Sequence, residues 1–301
     1  MAPEAAILVL GNANVDLVLG EVDGWPAIGT EVEVERSEMR AGGSAGNTSL
    51  ALSGLGVAHR FVATTGNDPN GVWLQKQFDA ASCDWIVDDC ATTITVGIVH
   101  KGGDRVFFTA PGHLQRARLD DLLARLPAAP HGRAIAVIAG GFLMPDIRSG
   151  TVKLLASLNA KGWRTAIDPG WPPEGWTDET SLLMRSWMEA TDIALINAEE
   201  AKGYSAETSL EGACQIIAAG LRAGQILVVK DGADGVRAFR GGERFRAVSP
   251  PVTVIDTVGA GDTFNAALMA ALSTTDDLAA ALDHGVRTAA RAISTFPRRY
   301  E

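Results

Sequence analysis

The residues best suited to chemistry lie near the C-terminus. They form Asp256-Thr-Val-Gly259-Ala260-Gly261-Asp262-Thr263-Phe264, which runs into the strongly helical stretch NAALMAAL. Gly259, Ala260 and Gly261 let the backbone approach a ligand, and their N–H groups, with the helix N-terminus, would point at an anion. Asp262 falls in the first helical turn beside that anion. A carboxylate there can take the proton of a hydroxyl attacking a phosphoryl group, although Asp also simply stabilises many helix starts. A second stretch, Ala41-Gly42-Gly43-Ser44-Ala45-Gly46-Asn47, enters the helical run TSLALSGLG. Its paired glycines would let a substrate rest on the backbone while Asn47 bonds its hydroxyls; the plainer reading of Asn47 is a helix cap. A third, Gly11-Asn12-Ala13-Asn14-Val15-Asp16, follows the first apolar run directly. Asn14 and Asp16 alternate, so both fall on one side, beyond the carboxyl end of a strand, where open α/β sheets bind ligands. An amide and a carboxylate suit a polyol, and a polar turn would look the same.

Apolar, β-rich runs alternate with helical patterns along the chain. Strands are expected at Ile7–Leu10, Arg60–Thr64, Ala134–Ala139, Thr165–Asp168, Ile193–Ile196 and Ile226–Lys230, several of them continuously apolar, as in a sheet buried on both faces. Helices are expected at Asn47–Leu55, Ile147–Ala160 and Leu210–Leu221. Repeated βα units predict an α/β fold: a doubly wound, mostly parallel sheet in one domain spanning residues 1–301. Two segments break the rhythm. Glu31–Met39 alternates through Val32 and Val34 like a half-exposed antiparallel strand. Thr95–Thr109 reads as a hairpin turning at Lys101-Gly102-Gly103-Asp104. Residues of about 17–39 and 95–109 would then form a small β-sheet lid, surface hairpins without function being the plainer alternative.

Composition removes several classes. A chain of 301 residues with 47% hydrophobic and 21% charged residues is globular, with no apolar run long enough to span a bilayer. The start, MAPEAAILVLG, lacks a basic region and reads as a buried strand, not a signal peptide. A net charge of −10 opposes sequence-independent nucleic-acid binding. Cys83, Cys90 and Cys214 make no CxxC pair, and the five histidines make no HExxH, so a reduced, cytoplasmic protein without disulfide or structural zinc is expected. No Lys follows a Gly, so a Walker-type P-loop is absent, as are the HRD and DFG motifs of protein kinases.

In order and content, these motifs resemble the ribokinase-like (PfkB) carbohydrate kinase family. Its N-terminal signature, GG-x-x-x-N entering a helix, appears as Gly42-Gly43-Ser44-Ala45-Gly46-Asn47. Its C-terminal signature, D-T-x-G-A-G-D-x-F, appears as Asp256–Phe264, and its N-x-x-E as Asn197-Ala198-Glu199-Glu200. The resemblance spans nearly the whole chain. It implies ATP-dependent phosphorylation of a sugar hydroxyl, with Asp262 as catalytic base and Gly259, Ala260 and Gly261 as the anion hole. Asn14, Asp16, Gly43 and Asn47 would hold the sugar, and Asn197 and Glu200 would order Mg²⁺ and its waters. Lys230-Asp-Gly232-Ala-Asp-Gly235 resembles the family's nucleotide loop. Asp256 and the Val258 carbonyl resemble part of a monovalent-cation (K⁺) site. The family commonly ends in a Gly-Ala loop that completes that site; this chain ends in Ile293-Ser-Thr-Phe-Pro-Arg-Arg-Tyr-Glu.

Other readings compete. Gly42-Gly43-Ser44-Ala45-Gly46 also matches the GxSxG elbow of serine hydrolases with Ser44 as nucleophile, but its preceding segment alternates like an exposed strand. A dinucleotide-binding oxidoreductase lacks a complete GxGxxG/A, and a non-catalytic regulator would not need Asp262 with an anion hole. The GGSAGN turn has no basic residue for a substrate phosphate, which favours an unphosphorylated sugar, while Arg105 beside the lid turn could reach an anion. A nucleoside kinase would use an apolar pocket such as Val34, Val96, Ile98 and Phe108. A lid with an apolar face and free edges must be covered by substrate, by the main domain or by another chain; the resemblance implies a homodimer packed lid to lid, a monomer whose lid folds down being the plainer alternative.

Overall fold

Alternate residues of the first strand, β1 (Ile7–Gly11), bury to opposite sides: Ile7 and Val9 join one apolar cluster, Leu8 and Leu10 another. That pattern is the signature of a sheet covered on both faces. The computed structural model describes residues 5–101, 105–296 and 298–300. After β1 the chain forms β2 (Asn14–Val22), β3 (Arg36–Gly42), α1 (Ser44–Gly54), β4 (His59–Gly66), α2 (Pro69–Gln75) and β5 (Cys83–Asp88). A hairpin, β6 (Ile94–His100) and β7 (Arg105–Ala110), precedes α3 (Leu119–Leu123). Then come β8 (Ile135–Ala139), α4 (Pro145–Ala160), β9 (Arg164–Asp168), α5 (Asp178–Ala190), β10 (Ile193–Asn197), α6 (Ala198–Ser205) and α7 (Leu210–Ala219). The chain closes with β11 (Ile226–Lys230), β12 (Val236–Arg240), β13 (Glu243–Ala247), α8 (Ala260–Leu272) and α9 (Leu278–Ile293).

The large sheet has the order β13-β12-β11-β10-β9-β8-β1-β4-β5. It is parallel from β5 to β11, and β12 and β13 continue it as antiparallel strands. Helices α1, α8 and α9 cover one face, through Ala51, Leu52, Phe264, Leu268 and Leu282. The other face carries α3, α4, α5 and α7, through Leu122, Leu154, Leu155, Trp187 and Ile217. The expected doubly wound α/β sheet is therefore present. Its expected strands and helices lie within three residues of the observed ends.

A separate four-stranded sheet, in the order β3-β2-β6-β7, forms the lid. The hairpin forms as expected, with Thr95 opposite Thr109 and Val96 opposite Phe108; residues 102–104 of its turn lie outside the described residues. The other lid strand differs from expectation. Glu31–Val34 is not strand, and β3 begins at Arg36. The alternation of Val32 and Val34 is real, but no neighbouring strand pairs with it, and Val32 is exposed. The missing partner is instead β2, which contains Asn14 and Asp16 and pairs with both β3 and β6. The segment that looked like a polar turn is thus the root of a lid strand. Among the described residues no helix is long and apolar enough to cross a membrane.

Trp187 is fully buried at the centre of the second cluster, its ring 4.7 Å from that of Phe142. Trp187→Ala should lower unfolding stability by about 3–5 kcal/mol, measured by the urea midpoint at unchanged slope. A loss below about 1 kcal/mol would contradict this packing.

Candidate active site

Paired glycines at the end of β3 make room for the two polar residues at the root of β2. A Cβ on Gly42 would overlap the Asp16 carboxylate, and Asn14 lies opposite Gly42 in the ladder. Gly43 has φ 84°, and a Cβ there would come within 2.8 Å of Asn14 Oδ1. Gly43 is also the residue from which α1 starts, so Asn47 lies in that helix's first turns. Asn14 Nδ2 donates to Asp16 Oδ1 (2.7 Å) and to Thr95 Oγ1 (3.2 Å), which in turn bonds Thr109 Oγ1 (3.0 Å). Register places Arg40, Asp16, Thr95 and Thr109 in one row on one face of the lid. Burial pushes the Asp16 carboxyl up to about 6, with Arg40 and Asn14 pulling it back.

The second half of the site is the N-terminus of α8. Gly259 caps that helix at φ 75°, which places Asp262 in the first turn. A Cβ on Gly259 would lie 3.2 Å from Asn47 Cγ, so the loop and α1 touch only because the residue is glycine. Asn47 Nδ2 donates to Asp262 Oδ2 at 2.9 Å. The sugar-side and base-side motifs, far apart in sequence, therefore meet through one hydrogen bond. Burial, then the charge of Asp168, push the Asp262 carboxyl up to about 7, with Asn47 and Lys230 opposing. The Asp16 carboxylate is close enough to raise the Asp262 carboxyl a little further.

Lys230, expected in the nucleotide loop, sits at the end of β11 with its side chain turned toward Asp168 and Asn265. Its Nζ bonds Asp168 Oδ2 (2.7 Å) and Asn265 Oδ1 (3.3 Å), and lies 3.5 Å from where a Gly261 Cβ would be. Asn265 Nδ2 completes the triangle on Asp168 at 2.6 Å. Burial opposes the charge on Lys230, but Asp168 and Glu200 outweigh it and hold its pKa above the ordinary value. Gly232 is exposed on the following turn, and Gly235, at φ 89°, packs against Ala247 in the β12–β13 hairpin. Neither glycine is brought against Asp262 by a contact.

Asn197 and Glu200 form a capping box at the start of α6: Glu200 N donates to Asn197 Oδ1 (2.8 Å) and Asn197 N to Glu200 Oε2 (2.9 Å). Glu200 is 4% exposed, and burial, then Asp168, push its carboxyl up to about 7. Asp256 lies elsewhere in the charge map. Its Oδ1 accepts Val258 N (2.9 Å), and its Oδ2 pairs with Arg40 (2.5 Å) and Arg36 (3.1 Å) from the lid. Ser44 has no histidine partner among the described hydrogen bonds; His59 bonds Ser49 instead, and the strand before Ser44 is the lid edge β3, not a buried elbow strand. Val96, Ile98 and Phe108 line the lid face opposite that of Asp16, and the side chain of Arg105 lies outside what the structure describes.

Sequence reasoning missed Arg40, Thr95 and Thr109, and it also missed Asp168 and Asn265. Asp168 carried a usable signal, being a carboxylate at the carboxyl end of a parallel strand. The lid residues carried none, because a cross-strand row exists only once register is known.

Comparison with known proteins agrees with this geometry. The model of the pfkB family carbohydrate kinases matches residues 4–296. A fructokinase of Salmonella typhimurium is 27% identical over 279 residues, covering 89% of this chain and 85% of that one. Among solved structures, Arabidopsis thaliana ribokinase complexed with ribose and ATP superposes with a TM-score of 0.76 at 20% identity, over 96% of this chain and 92% of that one. Adenosine kinase from Sinorhizobium meliloti gives 0.77 at 21% identity, over 97% and 95%. With the family model covering almost its full length and both family motifs meeting through the Asn47–Asp262 hydrogen bond, this chain belongs to the pfkB family and is a carbohydrate kinase.

Proposed function

We propose that the protein transfers the γ-phosphoryl group of ATP to a hydroxyl of a small unphosphorylated sugar, with Asp262 as general base. The observation that carries this reading is the Asn47–Asp262 hydrogen bond, which holds a carboxylate shifted toward neutrality at the N-terminus of α8, facing the polar row of the lid. Asn14, Asp16, Gly43 and Asn47 grip the acceptor; Asp262 takes its proton as the oxygen attacks. Backbone N–H groups of Gly259 and Gly261 receive the charge developing on the phosphoryl oxygens; that of Ala260, expected to join them, donates to Thr257 O at 3.2 Å in this structure. Lys230 adds a positive charge beside Gly261, and the loop of Gly232 and Gly235 after β11 would lie along the nucleotide. The lid excludes water that would otherwise accept the phosphoryl group.

A neutral acceptor fits the basic residues nearby. Arg36 is paired with Glu38 and Asp256, and Arg40 spends Nη1 on Asp256. Arg40 Nη2 is buried without a partner, a donor left for a substrate oxygen. The fructokinase relative points the same way. A nucleoside acceptor is the second reading, favoured by Val18 and Phe107, which lie one row further along the substrate-facing side of the lid.

The family implies ATP and with it Mg²⁺. Among the described residues no three His, Cys, Asp or Glu side chains are grouped to ligate a metal. The interlocked Asn197 and Glu200 suit an ion held mainly by phosphates and water, which is the habit of Mg²⁺. When bound, Mg²⁺ neutralises phosphate charge.

The lid leaves a second requirement. Leu17, Leu19, Met39, Val96, Ile98, Val106 and Phe108 share its outer face, and Met39, Val106 and Phe108 are exposed. A second copy of this face would cover it, giving a two-fold homodimer through the lids.

Four outcomes are expected. ADP release in the presence of neutral sugars should fall by about 10²–10⁴-fold in Asp262→Asn, while nucleosides leave wild-type release at background; release with nucleosides alone would reverse the substrate order. The same variant should be more thermostable than wild type above pH 7. The native carboxyl, raised above its unfolded value, holds its proton to higher pH, so stability falls as pH rises between those two values, and Asn removes that loss. A normal kcat in Asp262→Asn would sink the assignment. Excess EDTA should abolish turnover, and Mg²⁺ alone should restore it; full activity in EDTA would refute the metal requirement. Light scattering at micromolar concentration should report a dimer that Val96→Asp or Phe108→Asp converts to monomer, whereas a wild-type monomer would rule out lid-to-lid packing.

A further inference from the structure

We infer that this kinase works without a monovalent cation, because guanidinium groups from the lid and the C-terminal tail already occupy the oxygens of Asp256 that such an ion would need. The inference rests on the phosphoryl-transfer reading of the Asp256–Asp262 turn. A family-type K⁺ site there would draw on the Asp256 carboxylate and neighbouring backbone carbonyls. The oxygens of Asp256 are spoken for. Asp256 Oδ1 accepts Val258 N, and Oδ2 is shared by Arg40 at 2.5 Å, Arg36 at 3.1 Å and Arg298 at 3.8 Å. The main-chain oxygen of Asp256 faces Arg298 Nη2 at 3.5 Å.

Arg298 arrives from the stretch where the family's Gly-Ala loop is missing. Tyr300 anchors it: Arg298 lies near its phenol, and its ring packs against Gly54 at the end of α1, where any Cβ would collide with it. The guanidinium thereby comes to rest on the cap of α8, with Nη1 3.1 Å from where a Gly259 Cβ would be. Fixed positive charge at the anion-hole turn is what an alkali ion would supply, and a further cation on the same oxygens would meet like charges on three sides. The carboxyl agrees: burial pushes it up, yet the Val258 amide, Arg40 and Arg298 outweigh burial and hold it below the ordinary carboxylate range. Arg298 is therefore a positioning residue. It acts through Asp256 and Gly259 and needs no contact with the sugar.

The test compares K⁺, Na⁺ and tetramethylammonium chlorides at equal ionic strength, with wild type, Arg298→Ala and Arg298→Lys. Wild-type kcat should agree within about twofold in the three salts, and its Tm should not depend on which is present, since an ion binding the folded state raises Tm. Arg298→Ala should lose at least about tenfold in kcat with KM for the sugar little changed, and guanidinium chloride at about 20 mM, or K⁺ itself, should restore part of it. Arg298→Lys should keep more activity than Arg298→Ala. A wild-type rate that rises more than about fivefold with K⁺, or a Tm raised by K⁺ alone, overturns the inference, as does an Arg298→Ala enzyme indistinguishable from wild type. If Arg298→Ala fails to fold, the wild-type salt comparison decides alone. The Tm comparison needs no acceptor, so failure of the sugar-kinase reading, seen as no ADP release with any sugar, is separable from failure of this one.

Discussion

One charge imbalance governs the site: the carboxyl groups of Asp168, Glu200 and Asp262 gather around a single ammonium, Lys230. Lys230 bonds Asp168 directly, while burial and then the charge of Asp168 push Glu200 and Asp262 toward neutrality against its more distant pull. A base near neutrality is the useful one, since it is ionised at working pH yet still holds a proton once it has taken it. The sheet makes the imbalance tolerable. Asp168, Asn197 and Lys230 end three adjacent parallel strands, so their side chains and that of Glu200 just beyond converge at one edge without distorting the backbone. The glycines at 259 and 261 then let α8 approach close enough for Asp262 to join them.

How much of this was legible in the sequence follows from what kind of information each part needs. The parallel sheet was readable because a strand buried on both faces must be continuously apolar, as Ile193–Ile196 and Ile226–Val229 are. Glycine pairs and Asp262 were readable because few residue types tolerate close backbone approach beside an anion. Register was not. The row of Arg40, Asp16, Thr95 and Thr109 is assembled from three chain segments, and no local pattern in β3, β2 or the hairpin announces it. The same gap explains the misplaced lid strand. Val32 and Val34 alternate as strand residues do, but alternation reports fitness for a sheet and not the presence of a partner. Lys230 was found for its motif but assigned to a loop, because only the fold shows that its side chain points back to Asp168. Arg298 was invisible as a site residue because the tail returns to α8 through space.

Asp256 gathers what those local readings left scattered. Lid strand β3 reaches it through Arg36 and Arg40, and the tail through Arg298, while its own chain continues into the anion hole. Lid, tail and phosphate turn are thus held by one carboxylate. Such partly exposed ion pairs are individually weak, so their value lies less in stability than in fixing the relative placement of three segments, of which the turn and the tail are also joined by Ile255 N and Asp256 N donating to Ile293 O (2.8 and 3.1 Å). The lid, the start of α1 and the start of α8 are then joined by two short bridges, Asn47–Asp262 and Arg40–Asp256.

The position of Asn14 and Asp16 at the root of β2 has a mechanical consequence. The strand leaves the rigid sheet at Gly11, passes through Asn12 and Ala13, which are almost wholly buried, and extends as far as Val22. A lever pivoting at that root sweeps its tip through a long arc while its first residues barely travel. Trp25, its ring 6.0 Å from that of Phe108 and edge to face with it, follows the far end of β2, while Asn14 and Asp16 sit at its root. A hinge at that root would swing the outer part of the strand and leave Asn14 and Asp16 in place, so under the proposed function the lid would open for a sugar without disturbing the residues that hold it.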